Sequence, residues 1–246
     1  PFSVYCNNQA GDTWMNMTLR MYGAEFVNDK NDEIIINSPE GVKALEFLGK
    51  LQKEGLLAPG PETLKSIDTV SMFMNKKLAV SIMNNLTVPD IRKGLADGSI
   101  AKPFNYVWAY IPSEGDPKSF VYIKGSWVFD SQKNAKALAA AKDFVKFYSS
   151  NEPYTDASMI YIPFRTTLAE KLKTKDPEMA MLNTGLKYAN KITGQLPGYI
   201  QLRAFFYPEL QAYFTGQKTA QEALDSYVEK ANSLLKQNLQ RSVLYK

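Results

Sequence analysis

Asn37-Ser-Pro-Glu-Gly-Val-Lys-Ala-Leu-Glu-Phe-Leu-Gly-Lys-Leu-Gln-Lys-Glu-Gly-Leu-Leu57 reads as one whole helix with both of its ends. Ser38 is a residue whose hydroxyl accepts from free backbone N–H groups, and Pro39 suits the first helical position because its missing N–H is unneeded there. Val42, Leu45, Leu48 and Leu51 recur every third residue with Ala44 and Phe47 beside them, so one face is apolar. Gly55 follows, and glycine enters the left-handed conformation that closes a helix with little steric penalty. The spacing predicts a helix over 39–54.

Working outward, residues 2–6 read as a strand and Asn7-Asn8-Gln9-Ala10-Gly11 as a polar turn. Asp12 is placed to cap a helix from Thr13 to about Met21, ended at Gly23. Glu33–Asn37 reads as a short strand, Ser66–Asn75 as a helix and Leu78–Met83 as an apolar strand. The turn Asn84-Asn85 follows, then a short helix near Val88–Ala96. Tyr106–Ile111 and Phe120–Asp130 are rich in aromatic and β-branched residues and predict strands. A helix is expected from about Asn134 to Ser149. The last third is helical, with capping boxes at Thr167/Glu170 and Thr219/Glu222. The second box opens a helix over 220–237, whose Ala220, Ala223, Leu224, Tyr227, Ala231 and Leu234 make an apolar stripe. Strands alternating with helices argue an α/β fold.

The chain has 246 residues, enough to bury a sizeable core in one or two domains. Its 29 basic and 25 acidic residues leave a net charge of +4, with the two signs interspersed. No basic run is long enough to track phosphates, so nucleic acid is not an expected partner. Apolar runs all fall short of the roughly 20 residues needed to cross a bilayer. Cys6 stands alone, which excludes an intrachain disulfide and a cysteine metal cluster. Histidine is absent altogether, and with it the usual general base, the Ser-His-Asp triad and most zinc sites. No phosphate loop, dinucleotide fingerprint or acidic metal loop occurs, so no cofactor is expected.

Several segments, in order, resemble family 1 of the bacterial extracellular solute-binding proteins, which deliver sugars to ABC importers. Besides 37–57, these are Met72-Phe-Met-Asn-Lys-Lys-Leu-Ala-Val-Ser-Ile-Met83, Ala109-Tyr-Ile-Pro112, Lys124-Gly-Ser-Trp-Val-Phe-Asp130, Ala141-Lys-Asp-Phe-Val-Lys-Phe-Tyr-Ser149, Ile162-Pro-Phe-Arg165 and Lys218-Thr-Ala-Gln-Glu-Ala-Leu-Asp225. The resemblance implies a type II periplasmic-binding-protein fold and covers about the last two-thirds of such a protein. It implies that 1–118 and 153–246 build the C-terminal lobe. Residues 119–152 would be a strand–helix excursion belonging to the N-terminal lobe, most of which lies before residue 1. Phe120, Val121, Tyr122, Trp127, Phe144 and Phe147 are then expected to lack part of their packing partners, which favours self-association of these residues on their own. The opening Pro1-Phe-Ser-Val-Tyr-Cys6 carries no signal-peptide pattern, in keeping with an internal piece of a longer protein.

The implied function is the extracellular, non-enzymatic binding component of an ABC importer. It would close two lobes on a carbohydrate and dock on permease subunits, with any lipid anchor on the preceding part. Sugar sites need flat aromatic platforms together with planar hydrogen-bonding groups. Trp14 follows a strand and starts a helix, which suits either a cleft aromatic or a core residue. Asp12 suits a helix cap or a hydroxyl acceptor. Asn84 and Asn85 suit a turn or a ligand contact. Ser126 and Trp127 lie in what resembles the crossover loop, and Trp127 suits core equally. Arg203 offers its fork to hydroxyls or to a surface carboxylate, and Phe206 stands where the family's sugar-stacking aromatic is found or else in the core. The alternatives are a non-sugar solute of the same fold, a glycosidase, or a helical adaptor. A glycosidase needs two carboxylates about 5–9.5 Å apart, and no such pair stands out.

Overall fold

The computed structural model describes residues 1–7, 15–116, 119–120, 128–129, 134–151, 153, 162, 165–190 and 196–243. The helix read from 37–57 is present as Pro39–Lys53 (α2), and Ser38 Oγ accepts from the Gly41 amide. Ala44, Leu45 and Leu48 are buried, Val42, Phe47 and Leu51 partly so, and Gly55 has φ +68°. Before it come a strand Phe2–Ser3 (β1) and a helical stretch 15–19 (α1) that tightens into a 3₁₀ turn at Arg20–Tyr22. Gly23, at φ +92°, closes that turn.

Strand Val80–Ser81 (β2) runs parallel to β1, with Phe2 opposite Val80 and Ser3 opposite Ser81. Helices Ser66–Met74 (α3) and Thr87–Asp97 (α4) flank β2 in the chain. Strand Ser119–Phe120 (β3), helix Ala135–Ser150 (α5), helix Thr166–Lys175 (α6) and helix Pro177–Thr184 (α7) follow. A 3₁₀ turn Gly185–Tyr188 leads into strand Ala189–Asn190 (β4), which is parallel to β3. Helices Tyr199–Phe214 (α8) and Ala220–Val243 (α9) complete the order. The whole is a helix-rich α/β arrangement.

The main core lies where α8 and α9 pack on each other and on α2. Leu202, Phe206, Leu210 and Phe214 of α8 meet Ala223, Leu224, Tyr227, Ala231 and Leu235 of α9. The predicted stripe on α9 is the buried one, although Leu235 rather than Leu234 is fully covered. Thr219 and Glu222 form the expected capping box: Glu222 Oε2 accepts from the Thr219 amide at 2.8 Å, and Thr219 Oγ1 accepts from the Glu222 amide at 3.2 Å. Asn134 caps α5 through the Ala137 amide at 3.0 Å.

Three expectations change. Thr167 does not cap α6, because the extended residue is Arg165 and Thr167 already lies inside the first turn. Glu170 instead pairs with Lys173 at 2.7 Å. The stretch 33–37 makes only a single antiparallel bridge, Val27 to Ile34, since a turn at 28–33 leaves room for no ladder. Residues 106–111 have the alternation of a strand, with a bridge assigned at Ile111 alone: 104, 106, 108 and 110 are half-buried, whereas 105, 107 and 109 are exposed. Among the described residues, no backbone hydrogen bond ties 104–110 to a neighbouring strand. Helix α5 has no buried residue, and Phe144 and Phe147 are 64% and 62% exposed.

Candidate ligand-binding edge

Parallel strands of an α/β lobe aim their carboxyl ends at one edge, where the following loops and helix starts gather polar groups. In this chain β1 and β2 define that edge. Ser3 Oγ and Ser81 Oγ sit 3.0 Å apart across the pair. Beyond β1, Val4, Tyr5 and Cys6 are buried, and the chain emerges at Asn7, whose amide donates to the Thr63 carbonyl at 2.6 Å. Beyond β2, the chain emerges at Asn84 and Asn85, both half-buried.

The Asn pair builds the entry to α4. Asn84 Oδ1 accepts from the Leu86 amide at 2.9 Å, the Asn84 carbonyl accepts from the Thr87 amide, and the Asn85 carbonyl accepts from the Val88 amide. Asn84 thus serves as a turn residue, because its short side chain satisfies a backbone donor two positions on. That task occupies its carbonyl oxygen. On α1, Asn16 is buried, and its Oδ1 has no hydrogen-bond partner among the described residues. Cys6 is inert: burial, with the Glu62 charge adding to it, pushes its thiol up to about 12, and Sγ donates to the Pro61 carbonyl at 3.3 Å.

Of the other predicted residues, Asp12, Trp14, Ser126 and Trp127 lie outside the described residues. Arg203 is half-buried in the second turn of α8, with its guanidinium 5.2 Å from the centre of the Tyr199 ring. Phe206 is a correction. It is 1% exposed, its ring centre is 4.4 Å from that of Tyr227 and 6.3 Å from that of Phe26, and it belongs to the main core. A ring with both faces covered has none left for a sugar.

A polar cluster that no sequence pattern announced lies on α4 and α7. The Arg92 guanidinium spans Asp176, at 2.7 and 2.9 Å, and Glu178. Asp176 also caps α7 through the amides of Glu178 and Met179. Glu178 Oε1 accepts from the Tyr106 hydroxyl at 2.6 Å and from the Trp108 indole N–H at 2.8 Å. The hydrogen bond from Arg92 holds Asp176 below the usual carboxylate range against the opposing effect of burial. Burial first, then the bond to Glu178, pushes Tyr106 up to about 12. Among the described residues no group of three acidic, Cys or His side chains could hold a metal, and no helix is long and apolar enough to cross a membrane.

Comparison with known proteins places this edge in a recognised fold. The chain is 27% identical over 228 residues to the sn-glycerol-3-phosphate-binding periplasmic protein UgpB of Salmonella paratyphi A, covering 85% of this chain and 49% of that protein. The Yersinia enterocolitica protein of the same name is 27% identical over 227 residues, with 84% and 48% covered. The chain therefore spans about half the length of the curated relatives it matches. A tagatose-bound ABC transporter solute-binding protein from Thermotoga lettingae superposes with a TM-score of 0.77 at 22% identity, over 95% of this chain and 59% of that one. A laminaribiose-bound sugar transporter protein from Arthrobacter chlorophenolicus superposes with 0.72 at 16% identity, over 94% and 59%. These likenesses establish the fold. The pattern described as bacterial extracellular solute-binding protein matches residues 4–181, and the chain belongs to that family.

Proposed function

We propose that this chain is part of the binding component of an ABC importer, which closes two α/β lobes on a carbohydrate outside the cell and presents it to the permease subunits. The observation that carries this reading is the family match over residues 4–181. In keeping with it, residues 1–118 and 153–246 supply one lobe and 119–152 pack with the other. The uncovered face of α5, with its exposed Phe144 and Phe147, is the surface on which such a second lobe would rest. In a protein of these 246 residues alone, that face is expected to drive self-association, visible as a mass above the monomer in light scattering.

Ligand contacts are assigned to Asn85, to Arg203 and, beyond the described residues, to Asp12, Trp14, Ser126 and Trp127. Asn84 shapes the edge through the turn it holds. Closure shifts a population between open and closed forms by the ligand's differential affinity for the two. Each lobe contributes part of the contacts, so the 246 residues alone should bind far more weakly than the full-length protein.

A second reading has its own observation. The curated relatives quoted above carry sn-glycerol 3-phosphate in their names, so a small phosphorylated polyol is the competing ligand class. One experiment separates the two: thermal unfolding of the full-length protein against mono- and oligosaccharides and against sn-glycerol 3-phosphate. A ligand that binds only the folded state stabilises it by about 2.7 kcal/mol at a hundredfold excess over Kd. A rise in Tm with one glycan group supports the sugar reading. A rise with sn-glycerol 3-phosphate alone replaces it, and no rise with either moves the assignment to another solute.

A further inference from the structure

Two runs of the sequence, Leu78-Ala-Val-Ser-Ile-Met83 and Tyr106-Val-Trp-Ala-Tyr-Ile111, have the nearly continuous apolar pattern of strands covered on both faces. Neither is covered in that way. Of the first run only Val80–Ser81 pairs, with β1, and Val80 is 57% exposed. The amides of Ala79 and Val80 donate to the Pro1 carbonyl, on the β1 side. Among the described residues no strand lies along the other edge of β2, and Ile82 and Met83 make no backbone hydrogen bond.

The second run is barer still. Over 104–110 there is no strand or bridge, and among the described residues no backbone N–H or C=O of this stretch is hydrogen-bonded. Side chains hold it in place instead. The Phe104 ring lies 5.5 Å from that of Phe73, Tyr106 and Trp108 donate to Glu178 Oε1, and Tyr110 donates to the Met181 carbonyl. On the opposite face Val107 is 90% exposed. Backbone donors and acceptors are paired almost without exception in folded proteins, and an extended segment with bare edges is a template for a further strand.

The same two helices reach both runs. Helices α3 and α4 bracket β2 in the chain, and α3 packs on it. Phe73 of α3 meets Phe104, while Arg92 of α4 bonds to Glu178, the residue that takes Tyr106 and Trp108. A single strand laid between β2 and 104–110 would pair both bare edges at once. The curated relatives quoted above are about twice as long as this chain, so polypeptide beyond these 246 residues is long enough to supply it.

We propose that the polypeptide preceding Pro1 contributes one β-strand to this lobe, inserted between β2 and residues 104–110. This rests on the two-lobe reading above, which places the rest of the protein before residue 1, and it adds to that reading. The preceding part then does more than build the second lobe: one of its segments completes the sheet of the first.

The test is made on the full-length protein. Hydrogen–deuterium exchange, read amide by amide in the wild type, reports the pairing. A strand on one side bonds every second residue, so alternate amides over 105–110 are expected to exchange about a hundredfold or more slowly than an open chain. Free exchange throughout overturns the proposal. The partner is identified by replacing Val80 and Val107, one at a time, with photoreactive p-benzoylphenylalanine. Should the label at Val107 prevent folding, Asn105, exposed on the same face, takes its place. Both labels are expected to cross-link to one and the same peptide from before Pro1. Cross-links between the two runs themselves, to a second copy, or to no peptide preceding Pro1 overturn the proposal.

The same label at Phe144 on α5 tests the two-lobe reading separately. Cross-links to the preceding part from Phe144 but from neither Val80 nor Val107 keep that reading and sink the inserted strand. Cross-links from Val80 and Val107 with none from Phe144 keep the strand and sink the reading.

Discussion

The rings of Phe206 and Tyr227 lie 4.4 Å apart at a 41° tilt and join α8 to α9 at the centre of the main core. Tyr227 also meets Phe26 at 6.0 Å, so three aromatic rings from distant parts of the chain share one site. Truncating Phe206 to Ala should cost about 3–5 kcal/mol, the usual range for deleting a buried aromatic ring. Phe206→Trp should also destabilise, by about 1–3 kcal/mol, because the packed neighbours leave no room for a second ring. Chemical denaturation measures both. A Phe206→Ala protein of wild-type stability with lost ligand affinity would return Phe206 to the binding site.

Gly49 of α2 lies under the Tyr213 side chain. A Cβ added there would lie 2.0 Å from the Tyr213 hydroxyl oxygen, which donates to the Leu45 carbonyl at 2.9 Å. Gly49→Ala is therefore expected to destabilise by about 1–3 kcal/mol despite alanine's better helix propensity. Tyr213→Phe alone should cost about 1 kcal/mol for the lost hydrogen bond. Combined, the two should cost less than their sum, because removing the hydroxyl removes the nearest clash. Additive costs in a double-mutant cycle would argue against that contact.

Acid should unfold this protein through a small set of paired carboxylates. Asp176 sits below its ordinary range through the Arg92 hydrogen bond. At Glu209 burial pushes upward, but the bonds from Lys218 and Lys230 outweigh it and leave the net value lowered. A depressed folded pKa contributes stability above the unfolded value, near 3.9 for Asp and about 4.3 for Glu. That stability disappears as pH falls through the lower, folded value. The chain has no histidine, so no side chain with an unperturbed pKa titrates between about pH 5 and 8. Tm is expected to be flat across that window and to drop below about pH 4. Asp176→Asn should flatten part of the acid limb, and an unchanged limb in that variant would remove Asp176 from the account.

The cap of α9 offers a local check. Thr219→Ala should lower stability by about 1 kcal/mol, the common effect of losing an N-cap hydroxyl. Glu222→Ala should do about the same, and the double variant should cost less than both together because the two side chains bond reciprocally across one turn. Urea titrations of the three variants read this directly.

Much of this architecture is written in short-range signals. Ser38, Pro39 and Gly55 bound α2, Asn134 starts α5, and Thr219 with Glu222 starts α9, because a helix end is decided by a side chain within three residues of the amides it satisfies. The extended character of 106–111 is legible in its aromatic and β-branched residues, and its exposure alternates because one face of an extended chain repeats every second residue. The ordered segments beginning with 37–57 likewise point to the family, whose pattern matches residues 4–181.

Only the tertiary structure could decide what each face meets. Phe206 has the identity of a stacking platform and the position of one, but whether its faces are open depends on Phe26, 180 residues earlier, and on Tyr227 of the next helix. The stretch 106–111, read as a strand, meets a carboxylate on α7 through Tyr106 and Trp108. The Arg92 pairs join residues 84 and 86 positions apart. No periodicity spans such separations: local order follows from steric and hydrogen-bonding rules acting over a few residues, whereas these contacts arise from how the elements pack.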